Sequence, residues 1–240
     1  MISNWDFLDK SVKKERRKRM EKKSHPAVHI CKNNNDTDTI LKDAVQVEVT
    51  KNRLLLHSCC GPCSTACIER VLPNYKVAIF FYNPCITDKE EYERRKAAQI
   101  KFLNAFNENL SEEDKVEFIE GEYLPEEFYE VAVEYAEEPE GGTRCTECFK
   151  LRLERTAQAA LRIGYQLFGT TLTVSPHKNY NLISAIGCEL ASKYNLEFLD
   201  MDFKKKAGFQ RSIEMSKEYE LYRQNYCGCE FSKYFLEEKK

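Results

Sequence analysis

Short apolar runs alternate with longer stretches of helical period from about residue 54 onward. Leu54-Leu55-Leu56-His57 is an apolar run without polar alternation, the pattern of a strand buried on both faces. Residues 77–82, 116–119, 167–170 and 196–199 predict four further strands. Helical patterning predicts helices over 64–72, with Ser64 as the cap, and over 88–106, 125–135, 149–163, 180–194 and 207–222. In the fourth of these the apolar face is Leu151, Leu153, Ala157, Ala160 and Leu161. Strands alternating with helices predict an α/β fold, a parallel sheet with helices on both faces. The crevice of such a sheet lies beyond the carboxyl ends of its strands. Residues 59–63 follow the first strand and Ser175-Pro176-His177-Lys178-Asn179 the fourth, so both should line that crevice.

Residues 1–50 carry no such period and read as a basic and polar extension, with a polar break at 31–36; residues 51–240 read as the compact domain. Charge changes the picture only locally. The net charge of −2 does not mark a nucleic-acid binder. Eight lysines and arginines nevertheless crowd residues 13–23, and residues 120–140 are strongly acidic. The basic run is either a solvated helix face or an arm that attracts phosphate. No stretch approaches the ~20 apolar residues that span a bilayer, and residues 1–6 show no secretory pattern. A cytoplasmic protein is therefore expected, with no membrane partner.

Seven of the eleven cysteines fall into three tight groups: Cys59-Cys60-Gly61-Pro62-Cys63, Cys145-Thr146-Glu147-Cys148 and Cys227-Gly228-Cys229. Clustered thiols in a reducing compartment point to ligands or catalysts rather than to structural staples. Two residues between Cys145 and Cys148 let both sulfurs face one metal, and a helix start favours thiolate there. Cys59 and Cys60 are adjacent, so they reach one centre only from a turned loop. Four thiolates suit either zinc or an iron–sulfur cluster. Gly228 allows the backbone to fold sharply between Cys227 and Cys229. That pair is then a redox-active disulfide or, with Cys63, the ligand set of a second metal. Cys67 and Cys188 read as small apolar residues on buried helix faces, His57 as a packed core residue, and nothing functional is read into Cys85.

Five ordered motifs resemble the QueH-type epoxyqueuosine reductases: residues 57–64, Tyr82-Asn83-Pro84, residues 144–148, residues 170–179 and residues 226–229. The resemblance runs from about Leu54 to Ser232. It implies cobalamin-independent reduction of epoxyqueuosine to queuosine at the wobble position of a tRNA anticodon, the last step of queuosine biosynthesis. It implies a [4Fe–4S] cluster on Cys59, Cys60, Cys145 and Cys148, a redox-active pair in Cys227 and Cys229, and an electron donor it does not identify. Some members carry an additional iron, and an aspartate stands in some of those where this chain has Cys63, so a second metal at Cys63 stays open. The implied fold is HUP-like, the layered fold of adenine-nucleotide hydrolases, but cysteines occupy the place of that group's glycine-rich phosphate loop. For the tRNA substrate that the resemblance implies, Tyr82, Tyr222 and Tyr226 are candidate stacking faces for a base, and Arg94, Arg95, Arg144, Lys178 and Arg223 candidate phosphate contacts. The alternative is a zinc-stabilised RNA-binding protein without catalysis.

Overall fold

A computed structural model describes residues 29–31 and 51–232. The basic run at 13–23 lies outside the described residues. Six strands form one sheet: β1 (His29–Cys31), β2 (Asn52–His57), β3 (Tyr75–Phe81), β4 (Glu117–Glu120), β5 (Leu167–Thr170) and β6 (Glu197–Asp200). Their order is β1-β6-β5-β2-β3-β4. All pairings are parallel except β1 against β6. After the edge strand β1 the chain takes the middle of the sheet with β2, winds outward through β3 and β4, then returns to β5 on the other side of β2. The direction of winding reverses between β2 and β5, where doubly wound sheets open their binding crevice.

Leu54, Leu55 and Leu56 are fully buried, as the central strand of a sheet covered on both sides requires. Side chains alternate across a strand, so these leucines divide between two cores. Leu54 and Leu56 pack with Ile68, Phe102 and Met215 on one face. Leu55 packs with Leu153, Ala157 and Ile183 on the other. The helices are α1 (Gly61–Val71), α2 (Lys89–Asn107), α3 (Pro125–Ala132), α4 (Thr143–Arg162), α5 (Tyr180–Tyr194) and α6 (Gly208–Glu218). The first core joins α1, α2 and α6, and the second α4 and α5.

Several helix ends differ from expectation, and each has a local cause. Helix α1 starts at Gly61, with Pro62 in its first turn and Cys60 as the extended residue ahead of it. Proline costs no hydrogen bond in a first turn. Ser64 is therefore inside the helix, donating to the Gly61 carbonyl at 2.8 Å, rather than capping it. Helix α4 starts six residues before the amphipathic face declares itself, so Cys145 and Cys148 lie within its first turns. Asp88 accepts from the Glu90 and Glu91 amides and caps α2. Asn179 does the same for α5 through Leu182. Residues 29–31, inside the segment that reads as an extension, add the antiparallel edge strand.

Candidate active site

The carboxyl ends of β2 and β5 carry a cavity of about 620 Å³. Cys59, Cys63 and Cys227 line it with Arg152, Lys178 and Tyr226. The residues after the first and fourth predicted strands thus share one crevice. The floor is rigid. His57 is fully buried, with Nδ1 3.0 Å from Thr170 Oγ1 and Nε2 3.1 Å from the Tyr82 carbonyl. Burial, and then the Arg152 charge, lowers its pKa to about 3, so it is a neutral structural imidazole. Ser58 donates to Gln99 of α2 at 2.7 Å, and Asn83 donates to the Ser58 carbonyl at 2.9 Å.

The ligating atoms of Cys59, Cys60 and Cys63 lie within 4.8 Å of one another, and this cluster could hold a metal ion. Its protons are shared unequally. Hydrogen bonds from Cys59 and Cys63 hold Cys60 well below the usual thiol range, helped by Arg95. Gln224 Nε2 also donates to Cys60 Sγ at 3.0 Å. Hydrogen bonds to Cys59 and Cys60 push Cys63 up, together with burial. Cys60 is the most acidic thiol of the triad.

Helix α4 presents the second pair. The Gly141 amide donates to Cys145 Sγ at 3.2 Å, although burial still raises that thiol. Cys148 hydrogen-bonds to Cys85, which brings Cys85 down to about 6 and drives Cys148 well above the usual range. Cys85, Cys148 and Cys229 are buried together in a third apolar cluster with Phe81, Tyr92 and Phe128. Cys85 is thus part of the thiol assembly, which its position after Asn-Pro gives no reason to expect.

Arg152, one turn beyond Cys148, is buried among these sulfurs. Burial opposes its charge, but Cys148, Cys85, Cys227 and Cys59 more than offset that, and its pKa rises. Its Nε donates to the Cys148 carbonyl at 3.3 Å. Its Nη2 is buried and has no hydrogen-bond partner among the described residues. A buried unpaired guanidinium N–H beside several thiols suits a site built for an anionic, thiolate-ligated group.

The third pair reaches the cavity through its backbone. Arg95 donates to the Cys227 carbonyl at 2.8 Å and the Tyr226 carbonyl at 3.3 Å, and to Glu91 at 2.6 Å. This ties the segment 226–229 to α2. Gly228 has φ +120°, in the left-handed region that excludes most side chains. Cys227 and Cys229 are both free thiols. Lys178 Nζ donates to Cys227 Sγ at 3.2 Å. Burial works against the Lys178 ammonium, yet Cys227 raises its pKa overall. Cys229 lies behind, pushed up to about 12 by burial and by Cys227.

Several expected substrate contacts are otherwise employed. Tyr82 is buried, with its hydroxyl on Glu127. Arg95 and Arg144 are buried; Arg144 donates to the carbonyls of Tyr135 and Ala136. These side chains satisfy main-chain oxygens that would otherwise be orphaned. Tyr226, Lys178 and Arg223 do line the cavity, and so does Arg95 despite its burial. Cys188 is partly buried against the second core, as its helix position suggests, and there forms a disulfide with Cys31. No helix among the described residues is long and apolar enough to cross a membrane.

Comparison with known proteins agrees with this geometry. The family model described as Epoxyqueuosine reductase QueH matches residues 54–234. An Epoxyqueuosine reductase QueH of Staphylococcus epidermidis is 47% identical over 182 residues, 75% of this chain and 76% of that protein. That of Staphylococcus aureus is 42% identical over 200 residues, 81% of this chain and 82% of its own. That of Thermotoga maritima is 40% identical over 182 residues, 75% of this chain and 89% of its own. Nothing in these matches supports a zinc-stabilised RNA-binding protein without catalysis.

Proposed function

Because the chain belongs to the QueH family of epoxyqueuosine reductases, we propose that it reduces epoxyqueuosine to queuosine in the anticodon wobble position of tRNA, without cobalamin. The observation that carries this reading is a cavity at the reversal of the sheet lined by Cys59, Cys63 and Cys227 together with Arg95 and Arg152, with Cys148 of the second pair coupled to it through the Arg152 charge. Removing the epoxide oxygen as water takes two electrons and two protons.

Cys59, Cys60, Cys145 and Cys148 are the residues that would hold a [4Fe–4S] cluster: Cys59 and Cys60 stand together with Cys63 as one possible metal-binding group, which Cys145 and Cys148 do not join, and the unpaired N–H of Arg152, which also bonds the Cys148 carbonyl, supports an anionic group there. Such a cluster supplies single electrons. Cys63, within the triad, would be the ligand for an additional iron. Cys227 and Cys229 serve as the redox-active pair. Forming one S–S bond between them releases two electrons and two protons, and an electron donor not yet identified restores the dithiol. Lys178 Nζ holds the Cys227 sulfur at the cavity wall and offers a proton there. About 620 Å³ accommodates a base displaced from a single-stranded anticodon loop. Tyr226 offers it a ring face, and Arg223 a phosphate contact. The sheet order and crevice support a HUP-like classification, with residues 51–240 as the catalytic domain and a cytoplasmic location.

The test is an anaerobic assay on tRNA carrying epoxyqueuosine, run beside iron and sulfide analysis. Cys227→Ser and Cys229→Ser should abolish reduction and keep the iron and sulfide. Cys145→Ser should lose both. Full turnover in either of the first two variants would remove the pair from the mechanism, and intact cluster absorbance in Cys145→Ser would refute the ligand set.

A further inference from the structure

At the outer edge of the sheet three possible metal ligands, His29, Cys31 and Asp200, stand together, and a fourth, Cys188, is bonded to one of them. His29 stands directly opposite Asp200 in the β1–β6 ladder. Cys31, two residues on, shares a face with His29. Cys188 of α5 meets Cys31 as a disulfide, with Cα atoms 5.5 Å apart. His29 Nδ1 lies 3.4 Å from Asp200 Oδ2. The ligating atoms of His29, Cys31 and Asp200 all fall within 4.8 Å of one another. Tyr180 donates to Asp200 Oδ1 at 2.9 Å, which orients the carboxylate and leaves Oδ2 facing His29. β1 lies outside the residues that the family model matches, and none of the four residues lines the cavity described above.

We propose that His29, Cys31, Cys188 and Asp200 form a structural metal site for a borderline-soft divalent cation, with zinc the best match, when the two sulfurs are reduced. A disulfide alone needs neither an imidazole nor a carboxylate beside it. Two thiolates, one imidazole and one carboxylate are a tetrahedral zinc donor set. With metal bonds of ~2.0–2.3 Å, the edges of that tetrahedron run to ~3.3–3.8 Å, and His29 and Asp200 already stand 3.4 Å apart. The chemistry balances. A dithiol reductant passes two electrons and two protons to the Cys31–Cys188 bond, giving two thiols and an oxidised dithiol. Metal binding then releases both thiol protons to water. The ion would fasten a three-residue strand to β6 and α5 at once, where a short edge pairing by itself holds little.

The test uses the full chain, purified anaerobically with a dithiol reductant and equilibrated with zinc sulfate. Zinc, iron and sulfide are measured after removal of loosely bound metal. About one zinc per chain is expected beyond any at the cavity thiols. It should be lost in Cys31→Ser and Cys188→Ser while iron and sulfide stay at wild-type levels. Wild-type zinc content equal to that of both variants would overturn the proposal. A measurement on the unaltered chain guards against misfolded variants. Zinc should protect Cys31 and Cys188 from alkylation, and a chelator should expose them. Equal labelling with and without zinc, or resistance of the disulfide to the dithiol, would overturn it equally.

Discussion

Replacing Gly61 by alanine tests how packing positions the first cysteine group. A Cβ at this position would lie 2.6 Å from the Ala98 carbonyl oxygen and 2.8 Å from its carbon. Ordinary contact begins near 3.4 Å, so the two backbones must separate by about 0.8 Å. The obstructing atoms belong to the middle of α2 and cannot swing away as a side chain would. The first turn of α1 has to yield instead. Overpacking of this kind costs ~1–3 kcal/mol, and ~2 kcal/mol lowers the Tm of a chain this size by ~4–8 °C. Cys59, Cys60 and Cys63 ride on the turn that moves, and their sulfurs meet within 4.8 Å. Gly61→Ala should therefore lose iron as well as stability. Anaerobic thermal unfolding followed by circular dichroism reads the first effect, and iron and sulfide content the second. Gly164→Ala is the control. That residue has φ +73° and open space around it, so alanine adds ~1 kcal/mol of backbone strain and should leave the iron unchanged. A wild-type midpoint and full iron content in Gly61→Ala would refute the reasoning.

Two further predictions concern charge. His57 accepts no proton in the folded chain until about pH 3, whereas its unfolded value is 6.5. The unfolded state binds more protons between those values, so stability should fall as pH drops from 6.5 toward 3 and be indifferent to His57 above 6.5. At about 1.4 kcal/mol per pH unit, the loss is on the order of 5 kcal/mol; urea unfolding at stepped pH should show a slope shallower by up to one proton in His57→Asn, and identical slopes would contradict this. Lys178→Met removes a charge-assisted hydrogen bond of ~1.5–3 kcal/mol to Cys227, so single-turnover epoxide reduction should slow about 10- to 100-fold with iron unchanged, and a rate within about twofold of wild type would exclude the contact from the reaction.

Much of the fold was legible because its central strands are buried on both faces. Three consecutive leucines at 54–56 leave little alternative to an inner strand, and the cysteines after them mark the crevice. The starts of α1 and α4 were misplaced for one reason. First turns carry prolines, glycines and polar residues, and show no apolar period until the helix is under way. β1 was missed because three residues flanked by polar sequence carry no detectable alternation. The site was legible in its thiols but not in its counter-charges. An arginine on an amphipathic helix normally faces water, and only the fold turns Arg152 inward among the cysteines. Cys85 and Cys188 owe their partners to segments distant in sequence, Cys148 and Cys31. No local pattern announces such pairs.

The edges of the sheet carry a consequence for where this chain tolerates being cut. β4, at one end, is four residues long and has exposed glutamates at both termini, a charge barrier against association. β6, at the other end, has no such guard in its centre: Phe198 and Leu199 are buried, and β1 occupies its outer hydrogen-bonding side. Residue 51 looks like a natural beginning for the compact domain. A chain shortened to that point would keep every cavity residue, yet it would leave β6 with a row of unanswered N–H and C=O groups along an apolar strand. That is a template for a second molecule's strand. Three residues remote from the chemistry thus act as a built-in chaperone for the sheet, and self-association, rather than loss of turnover, is the first thing their removal invites.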